Sequence, residues 1–422
     1  MNGFDVAAIL TAVAAVFGYV NHRFLRLPAT SGTLMVSLVT SIAVLLADAA
    51  FPRQELASSV AAFVGRIDFN ETLMHGMLSF LLFAGALHVD LQGLRANKWT
   101  IGSLSTVGVL LSTAIVGCLT WWMFALVGIG VPLVVCLTFG ALISPTDPIA
   151  VMGLLKELQA PRDLEVQIAG ESLFNDGIGV VLFFAMTSLA GLSPGGHGGT
   201  LGAVGLVEFF ARQVAGGAVL GLSLGYLGYR ALKSINDHAT ELLITLALAM
   251  FVYSLSFWIH VSGPIAVVVA GLLIGNPGRQ FAMTVRTREH VDAFWSMIDE
   301  ILNAVLFLLI GLQVLGIKGE ARTLGAALLA IPIALLARFV SVAAPVAAMT
   351  LRGRFVNGIV PILTWSGLRG GLSVAMALSL PHFPGRNAVL ACTYAVVVFS
   401  ILVQGLTVRR VLVHYRVGQT ER

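Results

Sequence analysis

The residues of this chain that could do chemistry are few, and they lie inside apolar sequence. Residues 143–150 read ISPTDPIA and residues 170–177 read GESLFNDG, each within a run greasy enough to cross a membrane. Pro145 and Pro148 each remove a backbone donor and clash with the preceding turn, so together they should open a helix around Thr146 and Asp147. In the second run, helical spacing puts Ser172 and Asp176 on one face as an i,i+4 pair, with Glu171 and Asn175 as a second pair beside them. Two carboxylates, Asp147 and Asp176, together with Thr146, Ser172, Asn175 and freed backbone carbonyls make an oxygen-rich cage. Such a cage suits a hard monovalent cation.

Stepping outward, the elements that hold these groups are membrane helices. The chain has 422 residues, 57% hydrophobic and 11% charged, with a mean hydropathy of +0.92, against a charged share of about 25% in ordinary soluble domains. Apolar runs near the roughly 20 residues needed to span a bilayer recur throughout. Thirteen segments are expected, at 4–21, 30–48, 71–90, 100–127, 131–156, 163–190, 205–230, 239–259, 262–275, 291–315, 323–350, 357–380 and 387–411. The expected fold is all-α and polytopic. The N-terminus lacks a basic region and a small-residue cleavage site, so it reads as the first membrane helix and not as a signal peptide.

A net charge of +4 does not imply a nucleic-acid partner, because the basic residues form no patch. They alternate between loops. With the N-terminus outside and the C-terminus in the cytoplasm, about 17 Lys and Arg face inward and about 5 outward (Arg53, Arg66, Lys318, Arg322 and Arg386). Arg352, Arg354 and Arg422 belong to the inward set, and the longest outward loop is the Gly-rich LSPGGHGGTLGAVG. Cys118, Cys136 and Cys392 lie in apolar runs and read as small buried hydrophobes.

Ionisable groups inside a bilayer are expensive, and here they are Asp147, Glu171, Asp176, Arg338 and Arg369. Arg338 needs an anion, and Glu171 is the unassigned one, so an ion pair between them is expected. Reversing both charges should then be tolerated better than reversing either. Arg369 sits in WSGLRGG, where Gly367, Gly370 and Gly371 open the twelfth segment. That segment lies seven after the fifth, an odd offset that gives the two opposite orientations. Two interrupted segments at matching positions of inverted halves point to a transport site at the midplane. Segments 1–6 and 8–13 would be the repeats, with the fifth and twelfth crossing. Asp147 and Arg369 would then either balance the helix ends or, in the case of Asp147, also ligate the cation.

No zinc-spaced His and Cys set, Walker loop or nucleophile elbow is present, so the chain is not expected to be an enzyme or to need a cofactor. A cation channel would also use acidic groups and broken helices. An intramembrane hydrolase with Asp147 and Asp176 as an acid pair is a remoter reading.

Taken together, SPTDP, ESLFND, the eleventh-segment arginine and WSGLRGG resemble the monovalent cation/proton antiporter family, in its NhaP/NHE-type branch. The resemblance implies a thirteen-helix homodimer in a plasma membrane, here a bacterial inner membrane. It implies a mobile core domain, near 100–190 and 323–411, and a dimerisation domain, near 1–90 and 205–315. Asp176 matches the aspartate that takes cation and proton in turn, with Asn175 as its partner, Thr146 and Asp147 as the unwound-helix pair, Ser172 as a cation ligand, and Glu171 with Arg338 as the ion pair. Asn175, where electrogenic relatives carry a second Asp, implies electroneutral sodium or lithium exchange for protons, tied to pH homeostasis. One departure is Ala84 in LLFAGAL, where many relatives have a glutamate. It leaves potassium, or broad use of monovalent cations, as the alternative.

Overall fold

The computed structural model of the chain describes residues 3–50, 76–192, 203–316, 320–350 and 358–418. Residues 71–75 of the third expected segment, most of the Gly-rich loop, and Arg53, Arg66, Lys318, Arg352, Arg354 and Arg422 lie outside them. Each expected segment carries helix. In chain order these are α1 (Gly3–Val20), α2 (Ala29–Ala50), α3 (Leu78–His88), α4 (Lys98–Val127), α5 (Leu133–Ile143), α6 (Ile149–Glu157), α7 (Arg162–Leu189) and α8 (Ala203–Ser234). They continue as α9 (His238–Trp258), α10 (Gly263–Leu273), α11 (Val285–Gln313), α12 (Ala321–Thr350), α13 (Ile359–Ser366), α14 (Gly371–Ser379) and α15 (Arg386–His414). Eight helices among the described residues are long and apolar enough to cross a membrane.

Local chemistry fixes several of the starts. Thr284 caps α11 by accepting from Thr287 N at 3.2 Å, and Asp237 caps α9 by accepting from Thr240 N at 3.0 Å. The Thr240 hydroxyl, with its backbone amide, holds the Asp237 carboxyl below the usual carboxylate range. Ser262 caps α10, with a proline in the first helical turn, where its missing N–H is harmless.

The short α10 is explained by its surroundings. It is buried between α8, α3 and α9, so it need not meet lipid at both ends. Gly217, Gly221 and Gly225 of α8, spaced four residues apart, form a small-residue stripe that lets the two backbones touch. A Cβ on Gly221 would lie 2.3 Å from Ala266 O.

Packing falls into two groups. In one, α4 lies on α5 and α12, α7 on α5, and α12 and α14 on α15; in the other, α10 lies on α8, α3 and α9, and α11 on α2 and α1. The groups meet where α7 faces α8 and α10, and where α14 faces α11. Gly221→Leu should therefore separate α8 from α10 and lower the yield of monodisperse detergent-solubilised protein severely. Gly18→Leu, with nothing within 4 Å, should leave it unchanged; equal yields would refute the close-packing account.

Candidate functional site

Both interrupted segments are broken at the residues that cannot propagate a helix. α5 stops at Ile143 and α6 starts at Ile149, with Pro145 and Pro148 between them. α13 stops at Ser366 and α14 starts at Gly371, across Gly367–Gly370. The two breaks touch. Asp147 N donates to Leu368 O at 2.7 Å, forming an isolated antiparallel bridge.

Breaking a helix orphans carbonyls at the end of its first half, and in both cases a guanidinium takes them. Arg369 Nη1 donates to Ser144 O and, at 3.0 Å, to Pro145 O, at the end of α5. Arg338, from α12, donates through Nη2 and Nε to Leu363 O at 3.0 and 3.3 Å, near the end of α13. The same guanidinium pairs with Glu171 bidentately, Nη1 to Oε1 and Nη2 to Oε2 at 2.9 Å. Both partners are buried. Gly367 makes room for this, since a Cβ there would lie 2.4 Å from Arg338 Nε.

The first break is clamped to α7 through Thr146. Its backbone N donates to Asn175 Oδ1 at 3.2 Å, its hydroxyl accepts from Asn175 Nδ2 at 2.8 Å, and its carbonyl accepts from the Ser172 hydroxyl. Asp147 faces two helix beginnings. Its Oδ1 accepts from Ile149 N at 2.9 Å, in the first turn of α6, and its Oδ2 would lie 2.7 Å from a Cβ on Gly370, just before α14. The positive ends of two half-helices thus favour a negative charge at Asp147.

Thr146, Asp147, Ser172 and Asp176 line the inner end of one cavity of about 670 Å³. Asp176 has no hydrogen-bond partner among the described residues and shares the lining with Asp147. Toward the mouth the lining includes His88, Asp90, Lys156, Arg162 and Glu165. A separate groove between α1, α2 and α11 carries Arg23 and Arg26 but none of these inner residues. Among the described residues no three His, Cys, Asp or Glu side chains gather closely enough to hold a metal ion as a cluster.

The other sequence-expected residues stand behind this lining. Asn175 is buried with its amide engaged by Thr146, so it shapes the break and does not line the cavity. Glu171, Arg338 and Arg369 likewise lie outside the lining. Ala84 lies in the cavity wall on α3.

The lining residues that escape the sequence reading include Ser373, Asp299 and Asn303. Ser373 is 1% exposed, and its hydroxyl has no partner among the described residues. It sits one turn beyond Gly370, the same spacing logic that picked out Ser172. Asp299 and Asn303 line the opposite wall from α11. The expected segment began at 291, which left Asp299 near a loop; the helix starts at Val285, putting Asp299 roughly 21 Å along it.

Removing one partner of the buried pair, as in Glu171→Gln or Arg338→Met, should cost about 3–5 kcal/mol by stranding the other charge. Thermal unfolding midpoints in detergent measure this. The charge swap should recover only part of the loss, because a carboxylate at 338 would face the Leu363 carbonyl. Full recovery by the swap would show that the Leu363 contact is dispensable.

Residues 11–414 match the family model described as sodium/hydrogen exchanger, transmembrane. The chain is 45% identical over 421 residues to the Na(+)/H(+) antiporter NhaP of Pseudomonas aeruginosa, covering 98% of this chain and 97% of that one. It is 35% identical over 354 residues to the Na(+)/H(+) antiporter NhaH of Halobacillus dabanensis, covering 81% and 82%. Its fold matches the structure of the sodium proton antiporter MjNhaP1 from Methanocaldococcus jannaschii at pH 8, with a TM-score of 0.74 at 16% identity over 96% of each chain. Broken helices held together by buried arginines around an acidic cavity, and sequence likeness over nearly its whole length, make this chain a member of the transmembrane sodium/hydrogen exchanger family, a family of transporters and not of enzymes.

Proposed function

We propose that the chain is an electroneutral sodium (or lithium)/proton antiporter working by alternating access, with cation and proton competing for Asp176. The observation that carries this reading is Asp176 itself, a carboxylate with no hydrogen-bond donor, at the inner end of a cavity shared with Asp147, Ser172 and Thr146. An ionised carboxylate there is costly unless something discharges it. Either a proton or a cation does so, and both cannot at once.

The cation ligands would be Asp176, Asp147, Ser172 and Thr146, with the uncapped Ser373 hydroxyl from the second broken helix as a fifth source of oxygen. Turning the Ser172 hydroxyl away from Thr146 O would release two oxygens together. If the Arg369 charge offsets one of the two aspartates, one charge is left to exchange; Asn175, neutral, adds no second one. That supports one cation per proton.

Alternating access would move a core near 100–190 and 323–411 against a dimerisation scaffold near 1–90 and 205–315, in a homodimer built on two inverted six-helix repeats. The division of the packing into two groups supports the partition. The bacterial relatives support a bacterial inner membrane, and the positive-inside bias supports the N-terminus outside and the C-terminus cytoplasmic. The mouth bearing Lys156 and Arg162 then faces the cytoplasm. Named sodium/proton relatives favour sodium over the alternative, potassium/proton or broad monovalent exchange, and a part in pH homeostasis would follow.

Purified protein in vesicles loaded with a pH dye, challenged in turn with sodium, lithium and potassium, tests this. Wild type should move protons with at least sodium, and Asp176→Asn should fall to background. Wild-type rates from Asp176→Asn would sink the site, silence with all three cations would sink the exchange, and unitary currents would favour a channel. Ser373→Ala should raise the half-saturating sodium concentration roughly tenfold, the loss of one oxygen contact to a charge; an unchanged value removes Ser373 from the ligand set.

A further inference from the structure

We infer that Asp299 is a stationary carboxylate that strengthens cation binding at the site from one face of the membrane and not from the other. The inference rests on the two-body exchange proposed above. Asp299 belongs to α11, packed on α2 and α1, whereas Asp147 and Asp176 belong to the group containing α5 and α7. It lines the same cavity from the opposite wall. Because Asp299, Asp147 and Asp176 line one cavity, its field can reach the ion site across that space.

Asp299 also stands out against the rest of the lining. At the mouth the charges offset one another: Asp90 is paired with Arg162 at 2.6 Å, and Lys156 lies in the same lining as Glu165. Further in, the α3 wall offers Ala84 and Gly85, so the acids on that side come from α11: Glu300, which is exposed, and Asp299, which is half-buried. Asn303, one turn on, donates to Asp299 O at 2.8 Å.

Set on the wall opposite the proposed ligands, Asp299 acts through its field and not as a ligand. A Coulomb interaction in a partly dry cavity falls with distance and with intervening protein. When the core carries Asp147 and Asp176 toward the other face, Asp299 stays behind. The binding constants on the two faces then differ although the ligands are the same.

The test measures the half-saturating sodium concentration for exchange in right-side-out and in everted membrane vesicles. Asp299→Asn should raise it about three- to tenfold on the face where the Lys156 and Arg162 mouth opens. The maximal rate should stay within twofold and the other face should not change, while Asp299→Glu should restore the wild-type value. Equal changes on both faces, a loss of maximal rate alone, or no change would overturn the inference. Should Asp299→Asn fail to accumulate, Asp299→Ser is read by the same criteria. Asp176→Asn in the same vesicles separates the two failures: exchange persisting there undoes the proposed site, whereas its loss alongside an unsided Asp299→Asn effect undoes only the role of Asp299.

Discussion

The structure depends on satisfying carbonyl oxygens where there is no water to do it. A backbone acceptor left unpaired within a bilayer costs several kcal/mol, and a helix broken there leaves several. Two arginines answer this, Arg369 at Ser144 O and Pro145 O and Arg338 at Leu363 O. Each brings a charge that must itself be balanced, and the two are balanced differently. Arg338 is closed off by Glu171. Arg369 has carbonyls but no carboxylate partner among the described residues, so its charge is left facing the break. On the proposed reading one of the two aspartates beyond the break would offset it, and Asp147, set against two helix beginnings, is the better placed. Asp176 remains as the charge with no fixed answer. On the proposed reading, the need to end two helices cleanly is what creates a single exchangeable charge.

Much of this was legible because a membrane makes charges scarce. Five mid-segment ionisable groups could be found by inspection, and two proline-flanked and glycine-rich interruptions marked the breaks that meet at Asp147 and Leu368. What a charge does besides pairing was less legible. That Arg338 also ends α13 depends on how Gly367 lets the guanidinium approach, which sequence spacing does not encode. Asn175 read as a site group by its place beside Asp176, yet both ends of its amide go to Thr146. Asp299 was hidden by a helix start misjudged by two turns.

Hydroxyls are harder still. In membrane helices a Ser or Thr by default bonds the carbonyl one turn back, as Ser105, Thr138 and Thr187 do here. Such a residue says nothing about function from its type. Ser172 and Ser373 differ because one bonds across to the break and the other bonds nothing among the described residues. Only the assembled structure distinguishes them.

The same distribution of bonds bears on how the molecule could move. Within the group that holds the site, buried charged and amide hydrogen bonds tie α7 to the first break, α12 to α7 and to α13, and the second break to the first. Those contacts would be expensive to exchange, so the group should travel as one piece. Against the other group the surface is smoother: Gly177 of α7 meets Ile265, and Gly371 of α14 meets Leu306. Among the described residues few hydrogen bonds cross, among them Ser31 Oγ to Ile401 O at a long 3.3 Å within the bundle and Arg162 to Asp90 at the mouth. Apolar contacts are non-directional and can be exchanged for similar ones as two surfaces slide, whereas a broken bidentate ion pair cannot. A fold that concentrates its directional bonds inside one packing group and leaves small, apolar faces between groups has its compliance where the proposed alternating access would require it.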